Sequence, residues 1–260
     1  MSWLCGDIVN CEQNISFSNL VGDYIKGEGT YNGNLQYIID SGTKYTFHEI
    51  KKQVEKLAKK LVNYKKIAII MKVSIEFIVT LLAAIINKIT YIPIEPTAPN
   101  ERIEYIIDSS DPEIIIVSDT GTFAQLNYKN NIQIFSFKEL FSIEDIETKE
   151  KNVEHDFCIM FTSGSTGKPK GVRISHEALL NRLYWQWNEF PFGEDDICCC
   201  KTSIAFVDSI TETLVPLLLN IPIILIEKSV LSSPEQLFNI LINYQGRSSL
   251  LHIPDFVIKP

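Results

Sequence analysis

The 260-residue sequence predicts an α/β fold, mostly parallel sheets flanked by helices. Three observations carry that expectation. Short aliphatic runs such as Ile67–Met71 and Glu113–Ser118 lack the polar alternation of a half-solvated strand, which is how strands of a buried parallel sheet read. Between them lie stretches with apolar residues at helical spacing. Strand–helix–strand order builds a sheet through right-handed crossovers and places ligands at the carboxyl ends of its strands. Finally, 45% of the residues are hydrophobic, which supplies a packed core for a chain of this length.

Residues 1–40 are weakly patterned, and Gly22, Gly27, Gly29 and Gly33 suggest loops. Thr43–Phe47 alternates as a short strand. Thr46 can cap the next helix, with Glu49 completing a capping box. Ile50, Val54, Leu57, Ala58, Leu61 and Val62 form the apolar stripe of that helix. Its lysines, Lys51, Lys52, Lys56, Lys59 and Lys60, with Lys65 and Lys66 after them, read as a solvated face and the following turn. Ser74 opens a helix over Ile75–Ile86 that is apolar nearly all round and is therefore expected to be buried.

Tyr91–Pro96 reads as extended chain, Glu101–Asp108 as helix, and Glu113–Ser118 and Ile132–Phe135 as strands. Ile143–Asp156 is an acidic connection leading into a buried strand, Phe157–Phe161, and Gly171–Ile174 is again extended. Ser175 or His176 can cap a helix running through Trp187, with Leu179, Leu180, Leu183 and Trp187 on one face. His176 is read as a capping or packing residue, and Trp185 and Trp187 as core or interface anchors. Ile197–Lys201 is a strand, an apolar helix runs to Leu219, Ile221–Glu227 is a strand, and Pro234 begins a helix over Ser233–Tyr244. The last residues, 248–260, start like another strand.

A net charge of −8 argues against a general nucleic-acid or anionic-membrane binder. The longest apolar stretches, Phe77–Ile86 and Leu214–Ile226, fall short of the roughly 20 residues that span a bilayer. Met1–Ile15 carries Asp7 and Glu12 and does not read as a signal peptide. The cysteines are Cys5, Cys11, Cys158, Cys198, Cys199 and Cys200, with no Cys-x-x-Cys. Neighbours in a strand point to opposite faces, so the consecutive three make no convergent metal site. Reduced thiols in a cytoplasmic protein are expected.

The densest chemistry lies in Phe161-Thr162-Ser163-Gly164-Ser165-Thr166-Gly167-Lys168-Pro169-Lys170-Gly171-Val172. Glycines let backbone N–H groups face an anion, hydroxyls add donors, and lysines add compact positive charge. Such a window suits a polyphosphate. It is not the common P-loop: two residues separate Gly164 from Gly167, and Pro169 follows Lys168. A loop between two strands has no helix dipole to help it and binds with its own donors. A second candidate is Asp208, at a strand-to-helix junction beside Phe206. Spacing alone leaves two roles open: a carboxylate that holds an ammonium group, or a helix N-cap.

The window Phe161–Val172 resembles the phosphate-binding signature of the adenylate-forming superfamily, which includes acyl-CoA synthetases, luciferases and nonribosomal peptide synthetase adenylation domains. Lys44–Ile50 and Ile85–Pro99 are similar to its first two short motifs, in the same order. The resemblance implies ATP and Mg²⁺ as cofactors. Thr162, Ser163, Gly164, Ser165, Thr166 and Gly167 would hold the terminal phosphates, Lys168 and Lys170 would add charge, and Mg²⁺ would bridge phosphate oxygens.

Phe206–Ser209 is similar to the Phe-Asp-x-Ser motif whose Asp holds the α-amino group of an amino-acid substrate. Here Val207 takes the Asp position and Asp208 comes one residue later. The implied substrate-binding residues are Phe206 and Asp208, and the displaced carboxylate suits an amine displaced along its chain, as in β-alanine. Gly171–Arg173, Asn181–Pro191 and Phe206–Ser209 also resemble the insect members of this family that activate β-alanine and conjugate it to amines. The implied function is ATP-dependent activation of an amino-acid carboxylate as an aminoacyl-adenylate within an amine-conjugating synthetase.

The family's later motifs have no counterpart up to Pro260, among them the catalytic lysine of the C-terminal subdomain and the carrier motif that bears phosphopantetheine. No catalytic residue is assigned here. The expected organisation is a lead-in at 1–40, a first α/β subdomain at 41–150, and a phosphate-loop and pocket subdomain at 151–260 that is incomplete at its C-terminus. The chain then reads as the truncated N-terminal portion of a large domain, with weak or no turnover alone. A downstream C-terminal subdomain and carrier domain are expected partners. The alternatives are an acyl- or aryl-acid CoA ligase of the same superfamily, or a non-catalytic nucleotide-binding remnant. Asp208 argues against the first, because an apolar acyl chain leaves a buried carboxylate without a partner.

Overall fold

A tight hairpin opens the first well-patterned region. Strands β1 (Tyr37–Asp40) and β2 (Thr43–Thr46) pair antiparallel. Ser41 and Gly42 between them both adopt positive φ, 48° and 80°, the mirror-image turn whose twist matches flanking strands. Before it lies helix α1 (Phe17–Lys26). The computed structural model describes residues 17–26, 37–123, 132–142, 156–163, 168–192, 196–245, 251–253 and 256–257.

The chain then alternates: α2 (Phe47–Leu61), β3 (Lys66–Ile70), α3 (Ile75–Ile86), β4 (Thr90–Ile94), α4 (Asn100–Ser110) and β5 (Ile114–Val117). Short helices α5 (Thr120–Phe123) and α6 (Phe137–Leu140) flank β6 (Gln133–Ser136). β7 (Asp156–Thr162) and β8 (Lys170–Ser175) precede α7 (His176–Glu189), β9 (Ile197–Cys200), α8 (Val207–Leu218) and β10 (Ile223–Leu225). Helices α9 (Lys228–Leu231) and α10 (Pro234–Gln245) are followed by β11 (Leu251–Ile253) and β12 (Phe256–Val257).

Local chemistry sets several boundaries. Thr46 and Glu49 form the expected capping box: the Thr46 N–H donates to Glu49 Oε2 at 2.8 Å and the Glu49 N–H to Thr46 Oγ1 at 3.4 Å. Ser74 Oγ accepts from the Phe77 N–H at 3.2 Å and starts α3. Ser175, not His176, caps α7 through the Ala178 N–H. His176 packs edge-on against Phe157, with ring centroids 5.5 Å apart.

Among the described residues the strands form two six-stranded sheets. The first has the order β6-β5-β3-β4-β7-β8, parallel except for the antiparallel β7–β8 edge. The second has the order β12-β11-β9-β10-β1-β2, parallel in its centre with an antiparallel hairpin at each side. The main core lies between them. Ile67 and Ile69 of the first sheet and Cys198, Cys200 and Ile223 of the second share one cluster with α3, α7 and α8. The intervening strand residues face the other way. Ala68 and Ile70 pack with Ile103 and Ile107 of α4, and Cys199 and Ile224 lie under Leu237 and Ile240 of α10. This is the period-two alternation of a strand, with both faces covered. Helix α3 is buried over Ile75–Ile85, apart from Glu76, as its uniform apolarity requires. Asp40, at the end of β1, accepts the Ile75 N–H at 2.9 Å and ties the second sheet to that helix.

Two expectations need correction. Residues 17–26 and 37–40 are helix and strand where loops were expected, and Gly22 lies inside α1. Gly27, Gly29 and Gly33 lie outside the described residues. Lys60 is buried, not solvated. The helix stripe is wide enough to cover its aliphatic stem. Lys66 donates from Nζ to the Ser110 carbonyl at 2.9 Å.

Candidate active site

The phosphate window is a strand-to-strand connection. β7 is buried through Phe157, Cys158, Met160 and Phe161, and Thr162 and Ser163 then emerge into solvent. Gly164, Ser165, Thr166 and Gly167 lie outside the described residues. Lys168 and Lys170 are exposed on the return, and Thr162 pairs with Lys170 across the β7–β8 ladder. The hairpin therefore gathers two hydroxyls and two ammonium groups at its open end, a donor set that fits a polyphosphate. Gly171 sits opposite Phe161. A Cβ there would come within 3.1 Å of Ile159 Cγ2 and 3.2 Å of Phe161 Cζ, so the ring lies where a side chain would be. Arg102 of α4 donates to the Phe161 carbonyl at 3.3 Å, one residue before Thr162.

The second segment leaves the carboxyl end of β9. Glu212 on α8 holds it. Its fully buried carboxylate accepts from the Lys201 N–H (2.8 Å), Lys201 Nζ (3.0 Å), the Thr202 N–H (2.8 Å) and Thr202 Oγ1 (2.6 Å). A buried carboxylate needs this much compensation. The next residue, Ser203, donates to Glu95 just past β4, and Thr97 Oγ1 donates to the same side chain at 3.2 Å. β4 lies beside β7 with Tyr91 opposite Cys158. The two strands run parallel, so Glu95, just past the end of β4, and Thr162, the last residue of β7, both lie at the carboxyl edge of this sheet. One side-chain contact thus joins the β9–α8 connection to the neighbourhood of the phosphate window. Sequence reading assigned no role to Glu95, Ser203 or Glu212. The available signal was a lone Glu among the apolar residues of α8.

Asp208 does not cap its helix. The N-cap position is Phe206, with no side-chain cap bond, and Asp208 stands two residues into α8. A carboxylate in the first turn is favoured by the helix dipole while its oxygens remain free for another partner. That partner is Arg182 of α7, whose Nη2 lies 3.7 Å from Asp208 Oδ1. Phe206 and Val207 are exposed, at 64% and 44%, so these residues form an open face. Trp187 is buried in the core. Trp185 is outside it, stacked under Arg182 at 4.9 Å and edge-on to Phe190.

Cys158, Cys198, Cys199 and Cys200 are free and buried. Burial, and after it the nearby Glu212 charge, pushes the Cys199 and Cys200 thiols up to about 12, which makes them poor nucleophiles. Among the described residues, no group of three or more His, Cys, Asp or Glu side chains could hold a metal ion, and no helix is long and apolar enough to cross a membrane.

Comparison with known proteins adds the family. A model of the AMP-binding enzyme family matches residues 29–248. The β-alanyl-bioamine nonribosomal peptide synthetase ebony of Drosophila melanogaster is 33% identical over 192 residues, 71% of this chain and 22% of that protein. Vanchrobactin synthetase VabF of Vibrio anguillarum is 28% identical over 216 residues, 80% of this chain and 8% of that synthetase. Among solved structures, the N-terminal subdomain of Klebsiella oxytoca NpsA bound to 3-hydroxybenzoyl-AMSN superposes with a TM-score of 0.66 at 21% identity, over 81% of this chain and 53% of that one. ATP-bound MatB from Rhodopseudomonas palustris gives 0.73 at 17% identity, over 91% and 49%. The chain thus spans under a quarter of these curated relatives and about half of these solved structures. With well over half its length matched by the family model, this chain belongs to the AMP-binding enzyme family and carries the α/β fold of the N-terminal part of an adenylate-forming domain.

Proposed function

We propose that this chain is the N-terminal part of an adenylation domain that activates an amino-acid carboxylate with ATP, with β-alanine as substrate, in an amine-conjugating synthetase. One observation carries the reading. Asp208 does not cap α8 but stands in its first turn, just after a connection whose Ser203 bonds Glu95 at the carboxyl edge of the sheet that also bears Thr162. The carboxylate of the substrate would attack the α-phosphorus of ATP, forming one P–O bond as the bond to pyrophosphate breaks. Two anions meet in that step, so catalysis rests on charge neutralisation and alignment. Lys168, Lys170 and the hydroxyls of Thr162 and Ser163, with Gly164–Gly167, would hold the leaving phosphates, and Mg²⁺, when bound with ATP, would supply further neutralisation of their charge. Asp208 would hold the ammonium end of the acid, with Phe206 beside it. The 33% identity to the fly β-alanyl synthetase supports the choice of β-alanine.

An aryl-acid ligase remains the second reading. The Arg182–Asp208 pair favours it and corrects the expectation that a buried, unpartnered Asp208 argues against it: the carboxylate is half exposed and already paired, and does not need an amine. Pyrophosphate exchange in the full-length protein separates the two. β-Alanine-dependent exchange that collapses in Asp208→Asn is expected. Exchange driven by 3-hydroxybenzoate and indifferent to Asp208 would replace the first reading with the second. The isolated chain is expected to exchange weakly or not at all, and the C-terminal subdomain and a phosphopantetheine-bearing carrier domain are its proposed partners.

A further inference from the structure

Asp208 has a cationic partner within its own chain. Arg182 Nη2 stands 3.7 Å from its carboxylate, with the two side chains 47% and 52% exposed. The same guanidinium lies over the Trp185 ring, three residues further along α7. A planar guanidinium suits both neighbours at once, meeting a carboxylate edge-on and an aromatic ring face-on. One carboxylate cannot hold two cations at contact distance without mutual repulsion between them. An incoming ammonium group therefore competes with Arg182.

We propose that Arg182 is a specificity-determining residue of the amino-acid site, an internal cation that occupies Asp208 when the site is empty and yields to the ammonium group of the substrate. This rests on the reading of Asp208 as the amine holder. Displacement is cheap because water and salt already screen a half-exposed pair; it is worth about a two- to fivefold change in affinity. Arg182 does not have to leave the site, since the Trp185 ring keeps a resting position for it. An acid without an amine leaves the pair intact. Arg182 thus lowers the preference for β-alanine over propionate, an acid of the same length that lacks the amine.

The test is acid-dependent pyrophosphate exchange in the full-length protein, with β-alanine and propionate as probes. Arg182→Gln is expected to lower KM for β-alanine about two- to fivefold, with the change carried by KM, and to leave KM for propionate unchanged. Arg182→Lys keeps the charge and is expected to return KM toward the parent value. A purely structural role would instead lower kcat for both acids and would not be rescued by lysine. A raised or unchanged KM for β-alanine in Arg182→Gln, alongside loss of exchange in Asp208→Asn, overturns the role of Arg182 and leaves that of Asp208 standing. Unchanged β-alanine exchange in Asp208→Asn, or no response to β-alanine in the parent protein, overturns the reading of Asp208 and this inference with it.

Discussion

The β7–β8 and β9–α8 connections both leave the carboxyl end of a parallel strand, yet they are built on opposite principles. The first is a hairpin end at which Thr162, Ser163, Lys168 and Lys170 face solvent. It is held by ladder pairing and by Phe161 lying over Gly171. The second is pinned from below by a carboxylate removed from water, with Lys201 and Thr202 both bonded to Glu212. A phosphate-binding loop needs donors left free for its ligand, so its own side chains cannot anchor it. A connection that fixes the position of one acidic side chain has to be anchored elsewhere, and a buried network does that.

The largest effect should come from Glu212→Ala. It takes the shared acceptor away from the Lys201 ammonium and several other donors, at a cost of about 3–5 kcal/mol in urea unfolding. A loss below about 1 kcal/mol would mean that the network does not anchor the connection.

A pH titration comes next. Cys199 and Cys200 keep their protons in the folded chain up to about 12, against an ordinary thiol value of 9.0, chiefly through burial. The folded state therefore binds more protons than the unfolded state between those values. The contribution of these thiols is fully present below pH 9 and is lost as pH rises toward 12. Alkaline unfolding followed by circular dichroism should start in that window. Glu212→Gln, by removing the second cause of the shift, should move the onset of thiol labelling to lower pH. Labelling of Cys199 at neutral pH in the native protein would contradict its burial.

Gly171→Ala tests the hairpin side. Phe161 and Ile159 can yield by a few tenths of an ångström, so a loss of about 1 kcal/mol is expected, visible as a lower thermal midpoint. No loss would mean that the ring does not brace the loop. The smallest effect on stability belongs to Lys168→Ala and Lys170→Ala, below about 0.5 kcal/mol each. If these lysines hold phosphate, each should still weaken ATP binding about tenfold by calorimetry. Equal ATP affinity in parent and variants would remove them from the proposed site.

Much of this was legible without coordinates wherever the signal was local. The capping box at Thr46 and Glu49, the cap at Ser74, the buried helix α3 and the strand–loop–strand setting of the phosphate window each depend on residues a few positions apart. The roles of Asp208 could not be separated that way, because a cap and a first-turn carboxylate differ by two positions in where the helix begins. The burial of Lys60 is not carried by spacing, because the width of a buried stripe depends on what is packed against it.

Sequence alone determined the strand and helix alternation from Thr43 to Val117, the two faces of its strands and the chemistry of the window from Thr162 to Lys170, since propensity, periodicity and side-chain functional groups are properties of neighbours along the chain. Only the tertiary structure decided that β1 lies beside β10, that Ser203 meets Glu95 across the two sheets, that Glu212 closes under Lys201, and that Arg182 reaches Asp208. All of these pairings join residues of different elements, and the first two join residues more than 100 positions apart. They follow from how two sheets pack on one shared layer of helices, a choice made by burial of the whole core and not by any segment within it.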